Sequence, residues 1–379
     1  MARIFKLLLL PIIAAFALAA CDVSTVGPRL GSGPLKVALL VPSGSSDARI
    51  NSLASTLVSA ANLAVSEAPE AKIEMTVFPT QGTVEGAVAA AQAAVAGKNK
   101  IILGPLYGDN AVAVAQEVAS SGLLVLSFSN NSEISGGNLY VMGQTFEDTA
   151  ARLIGYSALQ GRSRALAVVP KGAAGDLAAN AVSRAAAATG VTYAGKASYE
   201  FSQAGIQRGA SSIVGQINST GSDIVVMSAN PAGALPLLAQ SLGEAGINVK
   251  RSQVVGLARW DVPASTMSLV TLQGGLFALP NIQAATDFAN RFQSFAGVPP
   301  QLVTGVSYDA MKVITTQLEK GISDALSPAQ LSATVFSGAT GFFRLNAAGQ
   351  TRRELAIARA AGGSYSIVDQ PDISVEPGL

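Results

Sequence analysis

The 379-residue sequence contains no histidine. That removes the side chain that most often acts as a general base near neutral pH, and with it His-based metal sites and catalytic triads. Cysteine occurs once, at Cys21, so there is no disulfide, no zinc–thiolate cluster and no second thiol. Charge is sparse: 13% of residues are Asp, Glu, Lys or Arg, with 25 basic against 24 acidic. These charges form no basic run, which argues against a nucleic-acid partner. Beyond the first 20 residues no apolar stretch approaches the roughly 20 residues that span a bilayer without meeting Gly, Pro or a charge. The catalytic options left are carboxylate pairs, Ser–Lys pairs or a cofactor, and none has a motif. No strand is followed by Gly-x-Gly-x-x-Gly, and Gly97-Lys98 lacks the upstream glycine and the following Ser or Thr of a phosphate loop. The expectation is a non-enzymatic chain with no cofactor and no metal.

The start of the chain is a different matter. Arg3 and Lys6 precede an apolar run over residues 7–18, then small residues, then Cys21. This is the layout of a secretory signal. Leu18-Ala19-Ala20-Cys21 resembles a bacterial lipobox, which implies cleavage before Cys21 and acylation of that residue. Several acyl chains on one residue exceed the two-signal threshold for stable anchoring. Residues 1–20 are therefore expected to be a signal peptide and Cys21 a lipid anchor. Residues 21–35, rich in Gly, Pro and Ser, are expected to be a flexible tether. Removing Arg3 and Lys6 from the 25 basic residues leaves 23 against 24 acidic, a net charge of −1. Asp22, directly after the cysteine, suggests retention at the inner membrane by similarity to enteric lipoproteins.

From Lys36 onward the pattern is regular. Apolar strand-like runs (36–41, 73–78, 100–103, 123–127) alternate with segments of helical apolar spacing (47–67, 84–96, 110–119). After a helix at 148–160 the alternation restarts, with strands at 164–169, 191–199, 223–228, 253–257 and 276–278 and helices at 175–189, 206–218 and 232–245. Such alternation predicts βαβ units and parallel sheets. About 350 residues suit two lobes better than one core. Two similar stretches of about 120 residues predict an α/β protein with two doubly wound, Rossmann-like lobes. Helices at 286–296 and 306–320 and short strands at 342–345, 354–360 and 364–368 follow, then a loose tail at 371–379.

Three stretches resemble the leucine-binding-protein family of type I periplasmic binding proteins. One is Ile101-Ile-Leu-Gly104-Pro105 with the later Leu124-Val-Leu-Ser127-Phe-Ser129. The others are Tyr308-Asp309-Ala310, and Gly338-Ala-Thr-Gly341-Phe-Phe-Arg-Leu-Asn346-Ala-Ala-Gly349. The resemblance covers nearly all of 36–368. It implies two lobes joined by three crossovers around an interlobe cleft, the first lobe taking 36–145 with 280–335, the second 146–279 with 336–370. It also implies a periplasmic protein that captures a small polar, amino-acid-like solute for an ABC permease by closing a hinge. Lipoproteins that activate penicillin-binding proteins share the fold, and this second reading makes a peptidoglycan synthase the partner.

In open α/β sheets ligands sit beyond the carboxyl ends of the strands. That rule selects Ser43, Tyr107, Ser129 and Asn131 in the first lobe and Asn230, Trp260 and Asp261 in the second. In the resembled family the loop holding Tyr107 binds an α-carboxylate, and the loop holding Ser129 and Asn131 binds carboxylate and ammonium. Asp261 stands a few residues from the position of the family's acidic anchor for the ammonium. The second lobe lacks the expected polar anchor after its first strand, where it has Gly172-Ala173-Ala174-Gly175. In the loops after the first two strands, Ser45 or Ser46 and Thr83 are expected to cap helices. Tyr308 and Asp309 suit packing and capping, and Phe342 and Phe343 suit a core.

Overall fold

The computed structural model describes residues 33–370, so the expected signal, Cys21, most of the tether and the tail lie outside the described residues. The last tether residue, Leu35, opens the first strand. The first lobe starts as β1 Leu35–Val41, α1 Ala48–Ser66, β2 Ile73–Pro79, α2 Val84–Ala96, β3 Ile101–Leu103, α3 Gly108–Val118, β4 Leu124–Ser127 and β5 Leu139–Val141. Its sheet runs β2-β1-β3-β4-β5, with every pairing parallel. The central strands are apolar on both faces because helices cover both faces. Val37 and Leu39 point to the side of α1, while Ala38 and Leu40 meet the alanine-rich α2 and α3. On α1 the buried residues Ala54, Leu57, Ala61 and Ala64 recur at helical spacing.

The second lobe continues with α4 Phe146–Leu159, β6 Arg164–Pro170, α5 Ala173–Thr189, β7 Thr192–Tyr199, α6 Gln203–Thr220, β8 Ile224–Met227, α7 Leu235–Glu244, β9 Gln253–Gly256 and β10 Leu276–Leu279. The chain then returns to the first lobe through α8 Ile282–Ala296, α9 Thr304–Glu319, α10 Pro328–Ser332, β11 Val335–Gly338 and β12 Gly341–Leu345. It ends with β13 Thr351–Arg353, β14 Ala356–Ala361 and β15 Ser364–Asp369. The second sheet runs β15-β14-β10-β9-β8-β6-β7, with β14 and β15 antiparallel at one edge.

Residues 336–345 were expected in the second lobe. The structure corrects this: Phe336, Phe343 and Leu345 pack in the same core as β1, α1, α8 and α9. β11, β12 and β13 form a small sheet of their own, beside α9. The third crossover therefore falls between Leu345 and Leu355. Phe343 is buried as expected, but Phe342, its neighbour on the opposite strand face, is exposed.

Candidate functional site

Four loops leave the carboxyl ends of the first sheet side by side. Ser43 O accepts the Gln81 N–H at 3.0 Å, which ties the loop after β1 to that after β2. The Tyr107 ring lies beside Gly82, whose Cβ, were there one, would stand 3.4 Å from the ring and 3.8 Å from Pro42 Cβ. A Cβ on Gly108 would meet Ser129 Oγ at 3.4 Å and Asn131 Cβ at 4.0 Å. Ser43, Tyr107, Ser129 and Asn131 thus occupy one polar floor. Tyr107 is 37% exposed, whereas Ser129 is buried. Ser129 Oγ accepts the Asn131 N–H at 3.1 Å, which leaves its own proton to donate. Asn131 Oδ1 is committed to the Glu133 N–H at 3.0 Å, where it caps a 3₁₀ turn.

Helix starts at the cleft differ in a way that matters electrically. Asp47 caps α1, Thr83 caps α2 and Ser202 caps α6 through their side chains. Capping of α1 thus falls to Asp47, not Ser45 or Ser46; Ser45 Oγ accepts the Asp47 N–H at 3.2 Å instead. Tyr107 before α3 and Gly172 before α5 supply no side-chain cap. Those two helices, one in each lobe, keep their first N–H groups free toward an anionic group.

At the carboxyl ends of its own strands, the second lobe offers Lys171 and Glu200, paired at 2.6 Å, and exposed Phe201 and Asn230 after β7 and β8. Two expected residues behave differently. Trp260 is 0% exposed and lies in the lobe's core, its ring 5.4 Å from Phe277. The indole fills space left by two glycines; a Cβ on Gly256 would come 2.3 Å from its Nε1. Trp260 does not line the cleft. Asp261 is held by the Arg259 guanidinium through bonds of 3.0 and 2.6 Å. Its side chain is 11% exposed, so a ligand ammonium would compete with a cation already seated there.

Arg353, on the third crossover, bonds to the first and lies beside Thr340, which the second reaches. Its guanidinium donates to Asp309 Oδ2 on α9 at 2.6 Å and to the Met142 carbonyl, just after β5, at 2.6 Å. Its backbone N–H donates to Asp148 Oδ2 on α4 at 3.0 Å. Asp309 Oδ1 also accepts the Ala339 N–H at 2.6 Å, and the Asn281 N–H at the second crossover donates to the Thr340 carbonyl. Side chains of Arg353 and Asp309 are 6% and 2% exposed. Asp309 therefore works as a hinge acceptor, and Tyr308 beside it donates to Glu67 at 2.5 Å. A second set of bonds joins the lobes nearby. Glu133 accepts from Asn180 at 3.1 Å and stands 3.6 Å from Arg184; Glu147 pairs with Arg184 and accepts from Ser132. Sequence reasoning singled out neither Arg353 nor Arg184, because neither sits in a motif and both find their partners only through the crossovers.

Two lobes built on largely parallel sheets, with polar loops at their carboxyl ends and a three-segment hinge, define a two-lobed ligand-binding fold. Residues 34–364 match the periplasmic binding protein family, and the chain belongs to that family. This bears out the resemblance to leucine-binding proteins. Among solved structures, the fold is similar to a branched-chain amino acid ABC transporter periplasmic ligand-binding protein from Burkholderia xenovorans, at 19% identity and TM-score 0.67, covering 89% of this chain and 96% of that one. A putative branched-chain amino acid ABC transporter from Rhodospirillum rubrum aligns at 14% identity and TM-score 0.71, over 88% and 100% of the two chains. A substrate-binding protein from Desulfitobacterium hafniense in complex with Leu aligns at 19% identity and TM-score 0.63, again over 88% and 100%. The match to an uncharacterized protein of Rickettsia prowazekii is 25% identical over 122 residues and spans only 32% of that protein and 32% of this chain.

Proposed function

We propose that this protein is a lipid-anchored periplasmic solute-binding protein that captures a small, carboxylate-bearing, amino-acid-like ligand and delivers it to an ABC-type permease. The observation that carries the ligand class is the pair of uncapped helix starts, α3 after Tyr107 and α5 after Gly172, one on each side of the cleft. Their free N–H groups, with the Ser129 hydroxyl, suit a carboxylate held from both lobes. Family membership and the similarity to a leucine complex support the same class. Closure about the Arg353 junction would follow from contacts made only when both lobes reach the ligand.

The second reading, activation of a penicillin-binding protein by contact with a peptidoglycan synthase, is favoured by one observation. Asp261, the residue expected to anchor an ammonium, is already paired with Arg259.

Calorimetric titration of the full chain with individual amino acids separates the two. Uptake predicts saturable micromolar binding to at least one, about −8 kcal/mol. Ser129→Ala should then weaken binding by about 1.5–3 kcal/mol, the worth of a hydrogen bond to a charged group. No binding to any amino acid, with direct association to a peptidoglycan synthase, would replace the transport reading. Acyl chains on Cys21 by mass spectrometry of the membrane fraction test the anchor.

A further inference from the structure

The second sheet has an outer pole, formed by the amino ends of β6, β8, β9 and β10, on the side away from the cleft. A cavity of about 570 Å³ opens there, lined by Arg162, Arg251, Arg359, Asp223, Gln253 and Gln160 among others. The charges in it do not cancel. Asp223 spends its carboxylate on the backbone N–H groups of Ser163 and Arg164, at 3.0 and 2.8 Å. Arg162 donates only to carbonyls, those of Asp223 at 2.7 Å and Arg251 at 3.0 Å. Among the described residues, the side chains of Arg251 and Arg359 have no hydrogen-bond or ion-pair partner, and Arg359 Nε is buried with nothing to donate to. The Gln253 amide has its oxygen buried and unpaired as well. Three guanidiniums face one carboxylate that is already satisfied, and a buried donor without an acceptor is expensive to keep.

We infer that this cavity is a second ligand site, which takes the doubly charged oxyanion group, phosphate or dicarboxylate, of a molecule distinct from the solute in the cleft. Planar guanidinium forks match the oxygen edges of both groups. β1 begins with Leu35 at the outer pole of the first lobe, so the cavity and Leu35 lie at opposite ends of the molecule.

Titration of the full chain with inorganic phosphate and with succinate, in chloride of matched ionic strength, tests the site. Saturation by phosphate, weakened at least tenfold in the double variant Arg251→Gln/Arg359→Gln, identifies a phosphate-bearing occupant. Saturation by succinate with the same loss identifies a carboxylate-bearing one. No saturation by either anion, or saturation unchanged in the double variant, overturns the site. Trp260 emission, from the core of the same lobe, reports whether that variant is folded. Should it misfold, Arg251→Gln alone decides, because Arg251 is exposed and its side chain holds no bond that folding needs.

Discussion

Asp148 carries an ionisation penalty that a single substitution should reveal. Its carboxyl is buried on the first turn of α4 and accepts one backbone N–H, that of Arg353. The Arg353 guanidinium is turned to Asp309 and to the Met142 carbonyl. Burial pushes the Asp148 carboxyl from 3.8 up to about 6, opposed by the Arg353 N–H and the charges of Arg352 and Arg353. A carboxyl raised on folding contributes fully to stability below its unfolded value. It loses that contribution as pH rises through its folded value. Two pH units correspond to about 3 kcal/mol, and the favourable α4 amino terminus offsets up to about 1 of this, leaving about 2–3 kcal/mol. Asp148→Asn keeps an acceptor for Arg353 and cannot ionise. Urea unfolding of both proteins across about pH 4 to pH 7 should show the variant gaining about 2–3 kcal/mol on wild type as pH rises. Near neutral pH its thermal midpoint should lie roughly 3–4 °C higher, from an unfolding entropy of about 2 cal/mol/K per residue. A difference that stays flat with pH, or a variant that loses ground as pH rises, would refute the reasoning.

Breaking the hinge pair should act in the opposite direction. Asp309→Ala leaves the Arg353 cation buried and should destabilise by about 3–5 kcal/mol in urea unfolding; a loss below about 1 kcal/mol would show that water replaces the carboxylate. In Gly256→Ala the new methyl enters the Trp260 indole, so unfolding should be easier by roughly 1–3 kcal/mol and indole emission should shift to the red. In the wild type, acrylamide should barely quench Trp260; strong quenching would contradict its burial.

Long elements were legible because their periodicity is long. The sequence spacing locates α2 at 84–96 as observed, and β1, β2 and β6 within a residue or so at each end. β5, β13 and α10 were not legible: three or five residues carry no period, and Leu139–Val141 becomes a strand only by pairing with β4. Trp260 shows a different limit. Position after a strand end marks a loop, but whether an indole turns inward depends on Gly256 and Gly275, each of which leaves the room its ring occupies. Asp261 carries a charge in the expected place, yet Arg259 two residues earlier takes it. The hinge residues Asp148, Asp309 and Arg353 lie up to 205 positions apart, and no local pattern links them.

The meeting of three chain segments around Arg353 has a practical consequence for optical sensing. Because Arg353 ties the first crossover at Met142 to the third, and Thr340 beside it takes the Asn281 N–H of the second, a closing rotation of the lobes would turn about this point rather than bend along each strand. Arc length grows with distance from a fulcrum. A pair of dyes placed far out on the rims, one beside Tyr107 and one beside Asn230, would report closure as a large change in energy transfer. The same pair placed beside Met142 and Thr340 would stay dark to it.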